Sequence, residues 1–293
     1  MTTKDENVRD FLSTRRAKIT PQQAGPPIGG GVRRVPGLRR EEVAILSGVS
    51  IDYYTRIEKG DLTGVSDEVL DTVARALQLN DDEVAYLYDL ARAARRPTRA
   101  RRQARPPSTV PQQVQLLIDS MGAVPVIAHN GCLDILAANH LGRALFSVVY
   151  DGPTRRSTAA PPNLASFVFL DPAAEEFYAD IDDAATTIVQ ILRAQAATTP
   201  RDSRLTTLVG ELSTRSESFR VRWGAHDVGR HREGSKTLHH RAVGDLVLGF
   251  EELTLASSPS IALSVYIAQP ASPTAERLQL LAALTLTAIP TRA

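Results

Sequence analysis

Cysteine is nearly absent from this chain. Cys132 is the only one in 293 residues, which excludes an internal disulfide framework and a cysteine-based metal cluster and fits a reducing cytoplasm. No window approaches eighteen consecutive apolar residues, so no contact with a membrane through a spanning helix is expected. The charged start, MTTKDENVRDFLSTRRAK, lacks the apolar core of a signal peptide. Aromatic residues make up 5% of the chain and Trp223 is the sole tryptophan, which argues against holding single strands by base stacking. The G-x-S-x-G, P-loop and G-x-G-x-x-G patterns are missing, and so are HExxH, HxxxH and CxxC spacings. His226-Asp227 and His239-His240 are the nearest approach to a catalytic or metal-binding cluster. Adjacent residues on a strand point to opposite faces, so His239 and His240 do not converge on one ion. The chain is therefore not read as an enzyme, and neither a metal nor a cofactor is expected.

With 43% apolar residues, the chain is long enough to bury two cores, and two domains are expected. The net charge of +1 hides an asymmetry. Residues 1–105 hold 19 Lys/Arg against 15 Asp/Glu, whereas the remainder holds 15 against 18. The basic part suits a polyanionic partner, and the acidic part is expected to do something else.

The stretch that organises the first part is Arg39–Gly60, RREEVAILSGVSIDYYTRIEKG. Val43, Ala44 and Leu46 or Ser47 mark the inner side of one helix, and Tyr54 and Ile57 that of a second. Gly48 suits the left-handed position that ends a helix. Ser50 suits the N-cap of the next one. Only Val49 lies between them, a turn of the length a DNA-reading helix pair uses. Ser50, Ile51, Asp52, Tyr53, Thr55, Arg56 and Lys59 then form the set a major groove of double-stranded DNA would meet. Arg56 suits guanine, Tyr53 and Thr55 a phosphate or a thymine methyl, and Asp52 a cytosine amino group. An ordinary pair of short helices with a solvated face shares the periodicity. The small Ala44, the turn glycine, the cap and the Arg39-Arg40 start agree on DNA.

Around this pair the periodicity predicts an all-α five-helix domain over residues 1–94. One helix lies before the pair, at Asn7–Ile19, and two follow it, starting at Ser66 and at Asn80 or Asp81. TPQQAGPPIGGGVRRVPG, rich in Pro and Gly, reads as loop. Its Arg33 and Arg34 are placed to reach backbone phosphate or a minor groove, or else are a solvated pair. Residues 95–109 read as an Arg/Pro-rich linker, a tether that also has the charge to graze phosphates. Residues 110–293 alternate differently. A helix precedes two strands around the turn Asn130-Gly131. One long helix runs from Asp171-Pro172 to about Ala197, another covers Arg201–Thr214, and three strands and a closing helix end the chain. The pattern is multidomain: an all-α helix-turn-helix domain, then an α+β domain with an antiparallel sheet.

VPGLRREEVAILSGVSIDYYTRIEKG and VSDEVLDTVARALQLNDDE resemble the Xre/Cro-type helix-turn-helix of bacterial regulators. AANHLGRALFS, NLASFVFLDP, RLTTLVGELSTRSESFRVRWGAHDV and KTLHHRAVGDLVLGFEEL resemble the MmyB-like, PAS-like ligand-binding domain. The resemblance implies a DNA-binding transcription regulator. Arg40 would hold phosphate, Asp52 and Arg56 would read base edges, and Ile51 and Tyr53 would lie in the same interface. It also implies a small apolar, fatty-acid-like ligand. Arg241, Ile181 and Gly249 depart from the family pattern, where a proline, a tryptophan and a bulkier strand residue are usual. Phe219, Trp223, His226, Phe250 and Tyr266 are the candidate pocket residues, although aromatics near strands more often form core. The expectation is a cytoplasmic, homodimeric regulator whose second domain senses a ligand, dimerises or both. The alternative is that this domain is only a protein-interaction module.

Overall fold

A computed structural model describes residues 4–25, 35–95, 109–154, 160–200, 202–229 and 233–287. Arg33, Arg34 and residues 96–108 of the linker lie outside the described residues. Two compact units result: Met1–Gln103 with Arg193–Thr206 and Arg222–Arg230, and Ala104–Leu192 with Thr207–Val221 and His231–Ala293. Neither is a continuous piece of sequence.

The first unit opens with α1 (Lys4–Lys18), α2 (Pro21–Ala24), α3 (Arg40–Leu46), α4 (Ile51–Glu58), α5 (Asp67–Ala76) and α6 (Asp81–Arg95). Five of these are the helices the sequence predicts. The short α2 corrects the reading of that stretch as loop. Thr20 caps it, its side chain accepting from the Gln23 amide while the Gln23 side chain reaches back to the Thr20 amide, and Pro21 occupies the first turn, where no amide hydrogen is needed. Ser66 and Asn80 cap α5 and α6 as expected, Asn80 in a reciprocal box with Glu83. Phe11 meets Tyr86 edge to face at 5.0 Å, within a core that also takes Val8, Leu12, Leu70, Leu87 and Leu90. Gly37 fits where a Cβ would come within 2.5 Å of the Ala17 carbonyl, so the loop entering α3 lies directly on α1.

The second part of the chain continues with α7 (Gln112–Ser120), β1 (Val126–Asn130), β2 (Ile135–Ala138), α8 (His140–Leu145), α9 (Ser147–Asp151), α10 (Leu164–Leu170), α11 (Ala173–Phe177) and α12 (Ile181–Thr198). It ends with α13 (Ser203–Arg215), α14 (Glu217–Gly224), β3 (Glu233–His240), β4 (Gly244–Leu255), β5 (Ser258–Ile267) and α15 (Pro273–Thr287). The five strands form one antiparallel sheet in the order β2-β1-β5-β4-β3. Leu246, Leu248 and Phe250 point to a buried face, as the alternation predicts. Phe146, Phe167, Phe177 and Tyr178 form an aromatic cluster in the same unit, and Tyr266 on β5 joins it at 5.2 Å from Phe146.

Two local expectations need correction. The β1–β2 connection is not a two-residue Asn-Gly turn. The Asn130 side chain accepts from the amides of Cys132 and Asp134, and Leu133 takes the left-handed conformation at φ 63°. The long helix after Pro172 is two helices. Tyr178 leaves α11 in extended conformation to bridge to Leu238, and the Ala179 amide donates to the Thr237 carbonyl. Asp180 then caps α12 through the Asp183 amide at 2.8 Å.

Candidate DNA-recognition helix and ligand cleft

Helices α3 and α4 owe their geometry to short-range chemistry. Glu42 accepts from the Arg39 backbone amide at 2.7 Å and so caps α3 from within. Gly48 is left-handed, φ 68°, and the Val49 amide turns back to the Ala44 carbonyl at 3.0 Å. The Ser50 hydroxyl accepts from the Tyr53 amide at 3.1 Å. Ser50→Ala is expected to cost about 1 kcal/mol of stability by leaving that amide without its cap. A thermal-denaturation midpoint equal to that of the parent chain would show that the cap contributes nothing.

Tyr54 and Ile57 are buried, as is Ser47 rather than Leu46. Ile51, Asp52, Arg56 and Lys59 are exposed, and Tyr53 and Thr55 are half-buried. The helix therefore presents the expected set on its outer side. The Arg56 guanidinium lies over the Tyr53 ring, 4.9 Å from its centroid, and its Nε is 3.5 Å from an Asp61 carboxylate oxygen. Asp61 is fixed in turn, because its other oxygen accepts from the Thr63 amide. Asp61 escaped the sequence reading; it sits just past the helix, where periodicity carries no information.

Glu58 was missed as well, and a signal for it exists. It continues the inner stripe of Tyr54 and Ile57 by one position, and a carboxylate on an inner stripe requires a cation. Its side chain is 1% exposed. Arg16 of α1 donates to both of its oxygens, at 2.8 and 3.1 Å, and Arg40 of α3 donates through Nε at 2.8 Å. Arg16 also donates to the Leu38 carbonyl. Burial alone pushes the Glu58 carboxyl up, but the bonds and charges of Arg16 and Arg40 together outweigh it and hold the group below its ordinary range. One buried carboxylate thus ties α1, α3 and α4 together. Arg40, with half of its side chain still exposed, is held at the start of α3. Arg39 pairs with Glu41 at 3.3 Å.

Of the five candidate pocket residues, three lie in the second unit. Phe219 is fully buried against Phe169 at 5.0 Å, while Phe250 and Tyr266 face each other across paired strands with ring centroids 6.5 Å apart. Trp223 and His226 belong to the first unit, where both are bonded to Arg193. The second unit contains a cleft of about 290 Å³ whose walls include Val148, Asp151, Asp171, Phe177, His240 and Arg241. Arg241, one of its lining residues, is paired with Glu176 at 3.4 Å. His239 and His240 diverge as adjacent strand residues do. His239 bonds Asp245 at 2.7 Å, whereas His240 is buried, accepts from the Ala242 amide and donates to the Ala144 carbonyl.

A glycine-turned helix pair with a capped, outward-facing second helix, set in a helical unit and followed by an α+β domain, defines a helix-turn-helix DNA-binding protein. The chain belongs to the family of the MmyB-like transcription regulator ligand binding domain, whose model matches residues 110–281, and a helix-turn-helix domain model matches residues 14–87. No curated protein matches the chain. It is a DNA-binding transcription regulator with a ligand-binding domain, and both matched families are regulator domains rather than enzymes. No helix among the described residues is long and apolar enough to cross a membrane.

Proposed function

We propose that the protein acts in the cytoplasm as a homodimer, binds a near-palindromic duplex site through α4, and changes that binding when its second domain takes up a small ligand with an apolar body. The observation that carries the DNA reading is the outer face of α4, with Arg56 stacked on Tyr53 and Arg40 held by Glu58. Arg40 suits a phosphate, and the end of Arg56 suits the two acceptors of a guanine. Two copies would set their α4 helices about one turn of DNA apart. The domain boundaries in this reading are residues 1–94, 95–109 and 110–293.

Support for the homodimer comes from the sheet. Val247, Leu253 and Ile267 share the face opposite Leu248 and remain 54, 41 and 45% exposed, an apolar surface of the kind a second subunit covers. The same surface is what an interaction module without a ligand would use. Support for a ligand comes from the cleft, where Val148 and Phe177 meet Asp151, Asp171 and Arg241. That mixture suits a fatty-acid-like body carrying a polar end.

Selection of duplexes from a random library by the full-length chain tests the DNA reading, and recovery of no common motif would reject it. Native mass spectrometry reports subunit number and any carried molecule together. A bare monomer would remove both the dimer and the co-purified ligand, and a bare dimer would favour the interaction module. Arg101 and Arg102, outside the described residues, test the linker. Replacing both with glutamine is expected to weaken all sequences alike and to reduce the salt slope of binding by about 2. An unchanged slope would leave residues 95–109 a tether.

A further inference from the structure

Residues 222–230 belong to one domain by family and to the other unit by packing. They fall inside the ligand-binding family match, residues 110–281, yet they cluster with the first unit, as do residues 193–206. Ala197 and Val228 sit in the same apolar core as Phe11 and Leu87. The polar contacts are denser still. Arg193, at 2% exposure, is the largest of the fully buried side chains. It donates to His226 Nδ1 at 2.8 Å and to the Trp223 carbonyl, its guanidinium lies 4.4 Å from the centre of the Trp223 ring, and it interacts with the Tyr86 hydroxyl of α6. From α1, Arg15 donates to the His226 carbonyl at 2.7 Å and pairs with Asp227 at 3.3 Å and with Glu83 of α6 at 2.9 Å; Lys18 also pairs with Asp227.

This junction is held by its bonds against two unfavourable features. Among the described residues no carboxylate is in ion-pair contact with Arg193; Asp10 and Asp227 act on it at longer range. An apolar side chain of similar volume would avoid that desolvation. His226 is left-handed, φ 53°, without being a glycine, a conformation that persists only where surroundings enforce it. Burial first, and the Arg193 charge second, push the imidazole down to about 4, so the neutral ring keeps Nδ1 free to accept from Arg193. A segment whose closed state depends on a few mutually supporting bonds has the makings of a two-state element.

We propose that Trp223–Asp227, clamped by Arg193 and Arg15, is the element through which a change in the ligand-binding domain reaches the DNA-binding helices. The proposal rests on the reading of the chain as a ligand-responsive regulator. The route is covalent at one end, because α12 carries Arg193 and α14 carries Trp223, and both helices begin among residues of the second unit. At the other end it passes from Arg15 to its neighbour Arg16, which binds Glu58 of the recognition helix.

The test is a double-mutant cycle on the full-length chain, with a duplex that the parent chain selects from a random library. Phe167→Leu perturbs the core of the second unit, where Phe167 is fully buried. It is expected to change the Kd for that duplex about threefold or more in the parent chain and to change nothing in the Arg193→Met background. Arg193→Met alone should still bind the duplex and keep the amides of α1 protected from hydrogen exchange. Equal shifts in both backgrounds, or a shift in neither, would overturn the proposal. If Arg193→Met does not fold, Asp227→Asn, at a half-exposed position, replaces it with the same expected loss of coupling. Tetradecanoate titrated into the parent chain, followed by native mass spectrometry, tests the ligand reading separately. Its failure to bind would remove that reading and leave the outcome of the cycle in force.

Discussion

Glu58→Ala is expected to destabilise the DNA-binding unit by about 3–5 kcal/mol, the range for removing one partner of a buried, hydrogen-bonded ion pair. Arg16 is the reason. Its side chain is 17% exposed, and without Glu58 its charge stays largely buried with no carboxylate left to balance it, only neutral partners such as the Leu38 carbonyl. Arg40 is half-exposed and loses less, because its guanidinium can turn to water. Glu58→Gln should cost less than Glu58→Ala, since an amide oxygen still accepts from one arginine. The double variant Arg16→Met/Glu58→Leu should recover most of the loss, because neither charge then needs desolvating. Acid acts on the same group. Its folded pKa is depressed, so its contribution is fully present above the ordinary value of 4.5 and is lost as the pH falls through the lower folded value. Urea denaturation followed by circular dichroism, at neutral pH and along an acid series, checks both statements. A loss below about 1 kcal/mol for Glu58→Ala would mean that the triad behaves as a surface pair.

The legible parts of the molecule are those where one residue type answers one local demand. Gly48 and Ser50 could be placed because a left-handed turn and a free amide each have few solutions. The sheet could be placed because alternation at Leu246, Leu248 and Phe250 separates its two faces. The illegible parts depend on partners distant in sequence. Arg193 is a lone cation in a long helix, a residue type that reads as solvent-facing, and what buries it is contributed by Tyr86, Trp223 and His226. Trp223 and His226 stand with Phe250 among the candidate pocket residues, although aromatics near strands more often form core. Their bonds to Arg193 and Arg15 place them in the first unit. The break at Tyr178–Asp180 was hidden for a similar reason, since helical spacing continues across it and only the strand that receives Ala179 interrupts the helix.

Arg56→Ala is expected to weaken binding to the preferred duplex by about 1–3 kcal/mol and to flatten preference at one base pair, the signature of a lost base contact. The free protein already has the side chain partly arranged for that role. The Tyr53 ring lies beneath the guanidinium and Asp61 approaches its Nε, so the two terminal nitrogens remain for a guanine edge. Arg56→Lys should recover little, because an ammonium neither stacks as a plane nor donates as a fork. Arg40→Ala provides the contrast. Its contact is with a phosphate in this reading, so its loss should weaken every sequence by a similar factor and reduce the salt slope by about 1. Competition binding across all four bases at each position of the selected site separates the two variants. If Arg56→Ala lowers affinity uniformly, Arg56 is a second phosphate contact, and sequence must then be read by the residues nearer Ser50, where Ile51 and Asp52 stand exposed at the start of α4.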